Sequence, residues 1–322
     1  MTSRHPHCVA IEPDLVATAT GEAGPAIAQR VQDHVARCAS CHEDFRRYHA
    51  IEAATGQIRH APPPLGDEVG VRDRLASRLA DFRHRVLTYR IFRSPLGPML
   101  IARSEEGVAL VEYLGSNSVK ASRVARIEGG VELIEDGDEI DRLYRELTEY
   151  LAGRRVKLDW PLDLRLARGD FDRTVLEVTA GIPYGAVTSY GALAREIGKP
   201  SAARAVAQAL RWNPLPIVVP CHRVVGASGS LTGYAGNKVT LKQRLLAVEG
   251  IPTVRAARDL EIARQATYAC DRNDREYCLP TCGSISTRSL AELTLFASRQ
   301  CAEAAGLRPC TSCRPDLHPL AR

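Results

Sequence analysis

The sequence predicts an α+β multidomain chain: a small β-sheet subdomain followed by a helical helix-turn-helix domain, flanked by two small cysteine-rich modules. Three observations carry this reading. Ten cysteines fall into three groups, with Cys8, Cys38 and Cys41 near the start, Cys221 alone, and Cys270, Cys278, Cys282, Cys301, Cys310 and Cys313 at the end. A β-rich stretch from Leu87 to Tyr113 precedes helical patterning from Asp141 onward. The segment Ala61-Pro62-Pro63-Pro64-Leu65-Gly66 reads as a stiff linker behind the first cysteine group. At 322 residues the chain has room for two or three domains.

Bulk properties exclude several classes. With 45% hydrophobic and 25% charged residues, the composition is that of a globular protein. A net charge of +5 suits an anionic partner without requiring one. No run of about 18 apolar residues exists, so no membrane span is expected. The first residues, Met1 to Cys8, contain no apolar signal core, and cytoplasm is the expected compartment. There thiols stay reduced, which shifts the reading of the cysteines from disulfides towards metal ligands and nucleophiles.

The elements follow in order. Residues 1–60 form the first module, and 61–86 the linker and a charged, helix-compatible stretch from about 71 to 85. In 87–165, the runs Leu87–Phe92 and Met99–Ala102 flank Ser94-Pro95-Leu96-Gly97-Pro98, which suits a hairpin, and Val108–Leu114 extends it into a small antiparallel sheet. Leu143, Leu147, Tyr150 and Leu151 give Asp141–Leu151 a helical stripe, with Gly153 as the stop. In 166–255, Phe171–Ala180 is a helix closed by Gly181-Ile182-Pro183-Tyr184-Gly185. Leu193, Ala194 and Ile197 mark another, Gly198-Lys199-Pro200 breaks it, and Ser201 is placed to cap a helix over Ala202–Arg211. Two short helices around a tight break make a helix-turn-helix pattern. The second is slim, with five alanines beside Arg204 and Arg211. It suits close approach to a DNA backbone or tight packing on a neighbour, and the segment leaves both open.

Cys221 follows the apolar run Leu215–Pro220 and precedes His222 and Arg223. A cysteine attacks as thiolate, which an adjacent imidazole and guanidinium favour. The triplet by itself also fits a buried, inert cysteine.

The wider pattern decides between them. Pro-Tyr-Gly, Thr-Ser-Tyr-Gly, Ala-Ala-Arg-Ala-Val, Trp-Asn-Pro-Leu-Pro-Ile, Pro-Cys-His-Arg-Val, Gly-Tyr-Ala-Gly and Leu-Leu-Ala-Val-Glu-Gly follow in order between Ile182 and Gly250. This run closely resembles the O6-alkylguanine-DNA alkyltransferase family. The resemblance covers about half the chain, by motif from Phe171 and by pattern before it. It implies a ribonuclease-H-like β subdomain, then a winged helix-turn-helix alkyltransferase domain. It also implies irreversible, single-turnover transfer of a methyl or larger alkyl group from guanine O6, and by extension thymine O4, to Cys221. In the family, the counterpart of His222 draws off the thiol proton through a water, and that of Glu249 orients the imidazole. The counterpart of Tyr234 donates to the departing O6, and that of Asn213 holds the helix-turn-helix to the cysteine segment. The target base must leave the stack. Tyr190 matches the tyrosine that pushes on its phosphate and Arg204 the arginine that fills the gap, with Arg211 and Ser201 as further DNA contacts in the minor groove. Two departures stand out: Asn237 follows Gly236 where a second glycine is common, and Ala235 lacks a hydroxyl that some relatives carry. Both bear on substrate range.

At the C-terminal end, Cys278 and Cys282 are followed after 27 residues by Cys310 and Cys313, a spacing that suits tetrahedral zinc with a helical segment, Ser289 to Ala304, between the pairs. Residues 266–318, with Ala304-Ala305-Gly306-Leu307-Arg308-Pro309-Cys310, resemble the zinc domain of Ada. That resemblance implies Cys278 as a second acceptor, for methyl groups on backbone phosphotriesters. Ada-like chains place this domain first, whereas here it comes last, and Asp271 to Tyr277 departs from the family's usual residues. Near the start, His34, Cys38 and Cys41 have H-x-x-x-C-x-x-C spacing, and helical spacing places His34 and Cys38 one turn apart on one face. The segment resembles a zinc-binding anti-sigma domain, with Cys8 as the fourth ligand and His5 or His7 as substitutes.

The expected function is therefore repair of alkylated double-stranded DNA by a monomer with one or two zinc sites and no organic cofactor. Two readings compete with it. One is an alkylation-responsive regulator acting through a partner such as a sigma factor; the other is a binder of alkylated DNA without transfer activity.

Overall fold

A computed structural model describes residues 6–60, 68–114, 132–135, 138–234, 238–256 and 259–320. The expected linker Ala61–Gly66 and the departures Ala235 and Asn237 lie outside the described residues, as does His5. The chain divides into two compact units, Met1–Ala76 and Ser77–Arg322.

The first unit packs α1 (Pro6–Ala19), α2 (Pro25–Val35) and α3 (Ala39–His60) around Leu15, Val31 and Cys41. Pro25 opens α2, where its missing N–H costs nothing. The helix ends at Val35, and the amides of Arg37 and Cys38 both return to the His34 carbonyl at 3.0 Å. α2 thus ends one residue after His34, but the bond from the Cys38 amide keeps His34 and Cys38 one turn apart, as their spacing predicts. The charged stretch forms α4 (Glu68–Arg85), which straddles the border between the units.

The second unit begins with the expected hairpin. Strands β1 (Val86–Ser94) and β2 (Gly97–Arg103) meet at a turn where Ser94 Oγ donates to the Gly97 carbonyl at 2.7 Å and Gly97 takes φ +101°. That left-handed backbone is why glycine stands there. β3 (Val108–Tyr113) adds antiparallel to β2, and β4 (Glu132–Glu135), which the sequence pattern did not show, adds parallel to β1. The resulting order is β3-β2-β1-β4. α5 (Asp138–Leu151) starts three residues before the expected helix and buries Ile140, Leu143, Leu147 and Tyr150 at helical spacing.

α6 (Asp170–Ala180) leads to β5 (Ala186–Ser189), α7 (Tyr190–Glu196) and α8 (Ala203–Arg211). Ser189 Oγ caps α7 by accepting from the Ala192 amide at 3.1 Å. Ser201 does not cap α8 as expected. The cap residue is Ala202, whose carbonyl accepts from Val206 at 2.9 Å, while its own amide closes a turn onto Lys199. Ser201 thus falls inside that turn, one residue too early. After the cysteine segment come β6 (Val224–Val225) and α9 (Val239–Val248).

The C-terminal segment forms the hairpin β7 (Thr253–Arg255) and β8 (Leu260–Ile262), then β9 (Tyr268–Asp271), β10 (Glu276–Cys278), β11 (Leu293–Phe296), α10 (Arg299–Ala304) and β12 (Arg308–Pro309). Ser289 to Ala304 is therefore not helical throughout. Leu293–Phe296 within it is a strand, because Leu293 and Leu295 are buried and the segment's backbone pairs with β9 on one side and β5 on the other. Among the described residues the sheet runs β12-β10-β9-β11-β5-β6. It joins the C-terminal cysteines to the strand before the helix-turn-helix and the strand after Cys221. One buried cluster accordingly holds Val187, Val225 and Leu246 together with Leu295, Cys278, Cys282 and Cys310.

Candidate active site and metal centres

Cys221 opens a 3₁₀ turn, Cys221–Arg223, and is 7% exposed. Three prolines shape its approach, and Ile217 within it sits at φ +78°, a conformation that a β-branched residue holds only when packing enforces it. Asn213, just beyond α8, ties this segment down. Its Nδ2 donates to the Val219 carbonyl at 2.9 Å and to Cys221 Sγ at 3.2 Å, while its Oδ1 accepts from the Leu215 amide at 2.8 Å. A cavity of about 180 Å³ opens at the sulfur, lined by Tyr113, Arg211, Pro216, Tyr234 and Lys238 among others.

Behind the sulfur lies a buried charge cluster. His222 is fully buried, with Nε2 2.6 Å from Glu249 Oε1. Burial alone would raise the Glu249 carboxyl, but His222 and Arg223 outweigh it and hold the group down to about 2. An ionised carboxylate only accepts, so Nε2 carries the proton of a neutral ring and Nδ1 is left with the lone pair. Burial lowers the imidazole below its ordinary value, with Arg223 and Lys242 adding to that against Glu249. His222 Nδ1 is itself buried, with no hydrogen-bond partner among the described residues.

Arg223 does not act on the sulfur as its position in the triplet suggested. Its Nε donates to both Glu249 oxygens, at 2.9 and 3.1 Å, and its Nη1 to the Ile182 carbonyl. Glu249 Oε2 also accepts from the Gly185 amide at 3.0 Å, and Oε1 from Tyr150 Oη. Gly185 sits at φ +67°, and a Cβ there would lie 2.5 Å from Cys301 Sγ. The tight approach of that amide to Glu249 is therefore open to glycine only.

The structure brings Cys221, His222, Glu249, Asn213 and Tyr234 together, and Arg211 reaches the same cavity. Tyr190 begins α7, half-buried, with its hydroxyl donating to the Thr232 carbonyl at 3.3 Å. Ser201 and Arg204 are exposed on the helix-turn-helix, outside the cavity. Tyr150, Gly185 and Lys242 were missed from the sequence. Tyr150 reads there as one more apolar position on the α5 stripe, and Lys242 as an ordinary surface cation. Yet Lys242 is fully buried, donating to the Val224 and Thr232 carbonyls, and desolvation lowers it to about 8.

Among the described residues, two sets of side chains could hold a metal. Cys278, Cys282, Cys310 and Cys313 place their ligand atoms within 4.8 Å of one another, and so do Cys8, His34, Cys38 and Cys41. Tetrahedral zinc with thiolates at 2.3 Å needs sulfurs roughly 3.8 Å apart, and Cys8 Sγ and Cys38 Sγ are 3.8 Å apart. His34 Nε2 is buried with no hydrogen-bond partner, as a nitrogen reserved for a metal would be. Among these residues Cys8 fills the fourth place; His7 is exposed and outside the set. Cys270 and Cys301 also lie outside both sets.

Comparison with known proteins divides the second unit in the same way. Residues 87–164 match the 6-O-methylguanine DNA methyltransferase ribonuclease-like domain, 170–251 the 6-O-methylguanine DNA methyltransferase DNA binding domain, and 253–316 the metal binding domain of Ada. A methylated-DNA–protein-cysteine methyltransferase of Methanosarcina acetivorans is 38% identical over 50% of this chain and 97% of its own length. One from Mycobacterium tuberculosis is 38% identical over 51% and 93%. Among solved structures, Mycobacterium tuberculosis OGT in complex with DNA shares 37% identity over 50% of this chain and 92% of its own, with a TM-score of 0.43.

Proposed function

The chain belongs to the methylated-DNA–protein-cysteine methyltransferase family, and on that premise we propose that it repairs alkylated DNA with Cys221 as the acceptor. The observation that carries the assignment is the order of groups behind the sulfur: a neutral histidine with a free Nδ1, its other nitrogen on a carboxylate held ionised by a buried arginine.

In this reading His222 takes the thiol proton at Nδ1 through a water, and Glu249 stabilises the imidazolium that forms. The Cys221 sulfur lone pair then forms the S–C bond, and the C–O6 bond pair stays on guanine. Tyr234 supplies a proton to the departing base, which leaves neutral, and the proton taken from the thiol makes good the loss. Asn213 holds the sulfur by its Nδ2 donor. Since no step returns the alkyl group, each chain acts once. Tyr190, Ser201, Arg204 and Arg211 meet the DNA, Tyr190 and Arg204 during extrusion of the nucleotide, at a cost of a few kcal/mol.

Zinc belongs to the same reading, with Cys278, Cys282, Cys310 and Cys313 as one ligand set and Cys8, His34, Cys38 and Cys41 as a second. Bound zinc keeps thiolates deprotonated and converts binding energy into folding energy. The match to the metal binding domain of Ada supports a further role for Cys278 as acceptor from methylphosphotriesters. Nothing in the geometry or the comparisons favours a regulator acting through a sigma factor.

The test is a duplex containing labelled O6-methylguanine, with the modified peptide mapped by mass spectrometry. Label on Cys221 is expected, and Cys221→Ala should bind DNA yet take no label. A folded protein without label on Cys221 overturns the assignment. Methylphosphotriester DNA tests Cys278 in the same assay.

A further inference from the structure

We propose that Tyr113, contributed by the β subdomain, is a positioning residue for the transfer reaction: its hydroxyl holds the Tyr234 phenol and stabilises that oxygen as its proton leaves. The inference rests on Tyr234 as the donor to the departing guanine.

Tyr113 is the last residue of β3, where its register partner is Met99 and the next amide, Leu114, donates to the Pro98 carbonyl at 2.9 Å. The strand end is thus fixed by the hairpin. Tyr234 comes from the other domain of the unit, 121 positions along the chain, and the two hydroxyls stand 3.0 Å apart. Their rings meet edge to face, with centroids 6.2 Å apart at 62°. Both are buried, at 7% and 4% exposure, and both line the cavity that opens on Cys221. Lys238 Nζ stands 5.8 Å from the Tyr113 ring centre. Burial raises both phenols above their ordinary range, so both carry protons at neutral pH.

Two protonated hydroxyls in contact form a short relay. Either can donate in the resting pair. When the Tyr234 O–H turns towards guanine O6, its oxygen is free to accept, and the Tyr113 O–H is in place to donate to it. As the C–O6 bond breaks and the Tyr234 proton moves to the base, negative charge grows on the Tyr234 oxygen. A hydrogen bond strengthens where charge develops, which favours the transition state over the ground state. Tyr113 touches neither the alkyl group nor the sulfur in this scheme and acts through Tyr234.

The test is a double-mutant cycle with Tyr113→Phe and Tyr234→Phe, reading the single-turnover transfer rate, duplex affinity and thermal midpoint. Phe at 113 keeps the ring contact and removes only the oxygen. We expect Tyr113→Phe to slow transfer about fivefold to tenfold, with affinity and midpoint unchanged, and to cause no further slowing once Tyr234 is Phe. A wild-type rate for Tyr113→Phe beside a slow Tyr234→Phe overturns this proposal alone. Equal slowing in both backgrounds also overturns it, because Tyr113 would then act independently. A wild-type rate for Tyr234→Phe overturns the role of Tyr234, and this proposal with it.

Discussion

His222 Nε2 lies 2.6 Å from Glu249 Oε1, and Arg223, Gly185 and Tyr150 hold that carboxylate from its other sides. The imidazole is thereby fixed with Nδ1 as its basic nitrogen. Glu249→Gln keeps the shape but lets the ring adopt either tautomer, and transfer from O6-methylguanine duplex should fall about a hundredfold or more. A single-turnover assay reads this directly. A rate within a few fold of wild type would show that the carboxylate does not set the tautomer.

The pH profile follows from the same cluster. Burial lowers His222, so the ring remains a neutral base below 6.5, and the transfer rate should stay level from pH 7 to about 6.5 and fall only below that. An acid limb above pH 7 would contradict it. Stability should respond as well. Glu249 is depressed from 4.5 to about 2 on folding, so its contribution is complete above pH 4.5 and is lost as pH falls towards 2, on the order of 3 kcal/mol. His222, also depressed, is protonated first in the unfolded chain, so a further loss begins below pH 6.5. Urea midpoints between pH 7 and 3 should show both losses, and Glu249→Gln should flatten the lower one.

Arg223 is the standing counter-charge for a fully buried carboxylate. Arg223→Met leaves Glu249 without it and should cost about 3–5 kcal/mol, seen as a lower denaturation midpoint. Arg223→Lys should recover only part, because a single ammonium cannot serve both Glu249 oxygens and the Ile182 carbonyl. Full recovery by lysine would show that charge alone matters.

Gly185→Ala should destabilise the chain and slow transfer together. The new Cβ meets Cys301 Sγ at 2.5 Å, and φ +67° suits no other residue well. Cys301→Ala in the same chain should relieve the clash but leave the backbone cost of about 1–2 kcal/mol. If Gly185→Ala alone matches wild type in both readouts, the close approach to Glu249 is not needed.

Zinc should be stoichiometric, with two ions per chain by elemental analysis. His34→Ala should remove one, and Cys282→Ser the other. Loss of the C-terminal ion should also lower the thermal midpoint of the alkyltransferase domain, because β11 pairs with β5 and Leu295 packs beside Val187. An unchanged midpoint with that ion gone would mean the shared sheet stands without metal.

The sequence alone pointed to the proposed acceptor and the groups around it. The ordered motifs around Pro-Cys-His-Arg-Val pointed to Cys221, His222, Glu249, Asn213 and Tyr234, which the fold brings together, and spacing pointed to the four C-terminal cysteines and to His34, Cys38 and Cys41, beside which the fold places Cys8. The hairpin, α5 and the helix-turn-helix were legible too, since local periodicity and turn residues encode them. What remained hidden depends on long-range contact. Tyr150 looked like core, and Arg223 like a partner for the sulfur next to it. Only packing shows that both turn onto a carboxylate at least 26 positions away. The strand Leu293–Phe296 was likewise read as helix, because a short apolar run takes its conformation from the ladder it joins. That ladder, with β9 on one side and β5 on the other, makes the C-terminal cysteine module continuous with the DNA-binding domain. Residue spacing records distance along the chain, whereas hydrogen bonding and burial act between segments that only the folded chain brings together.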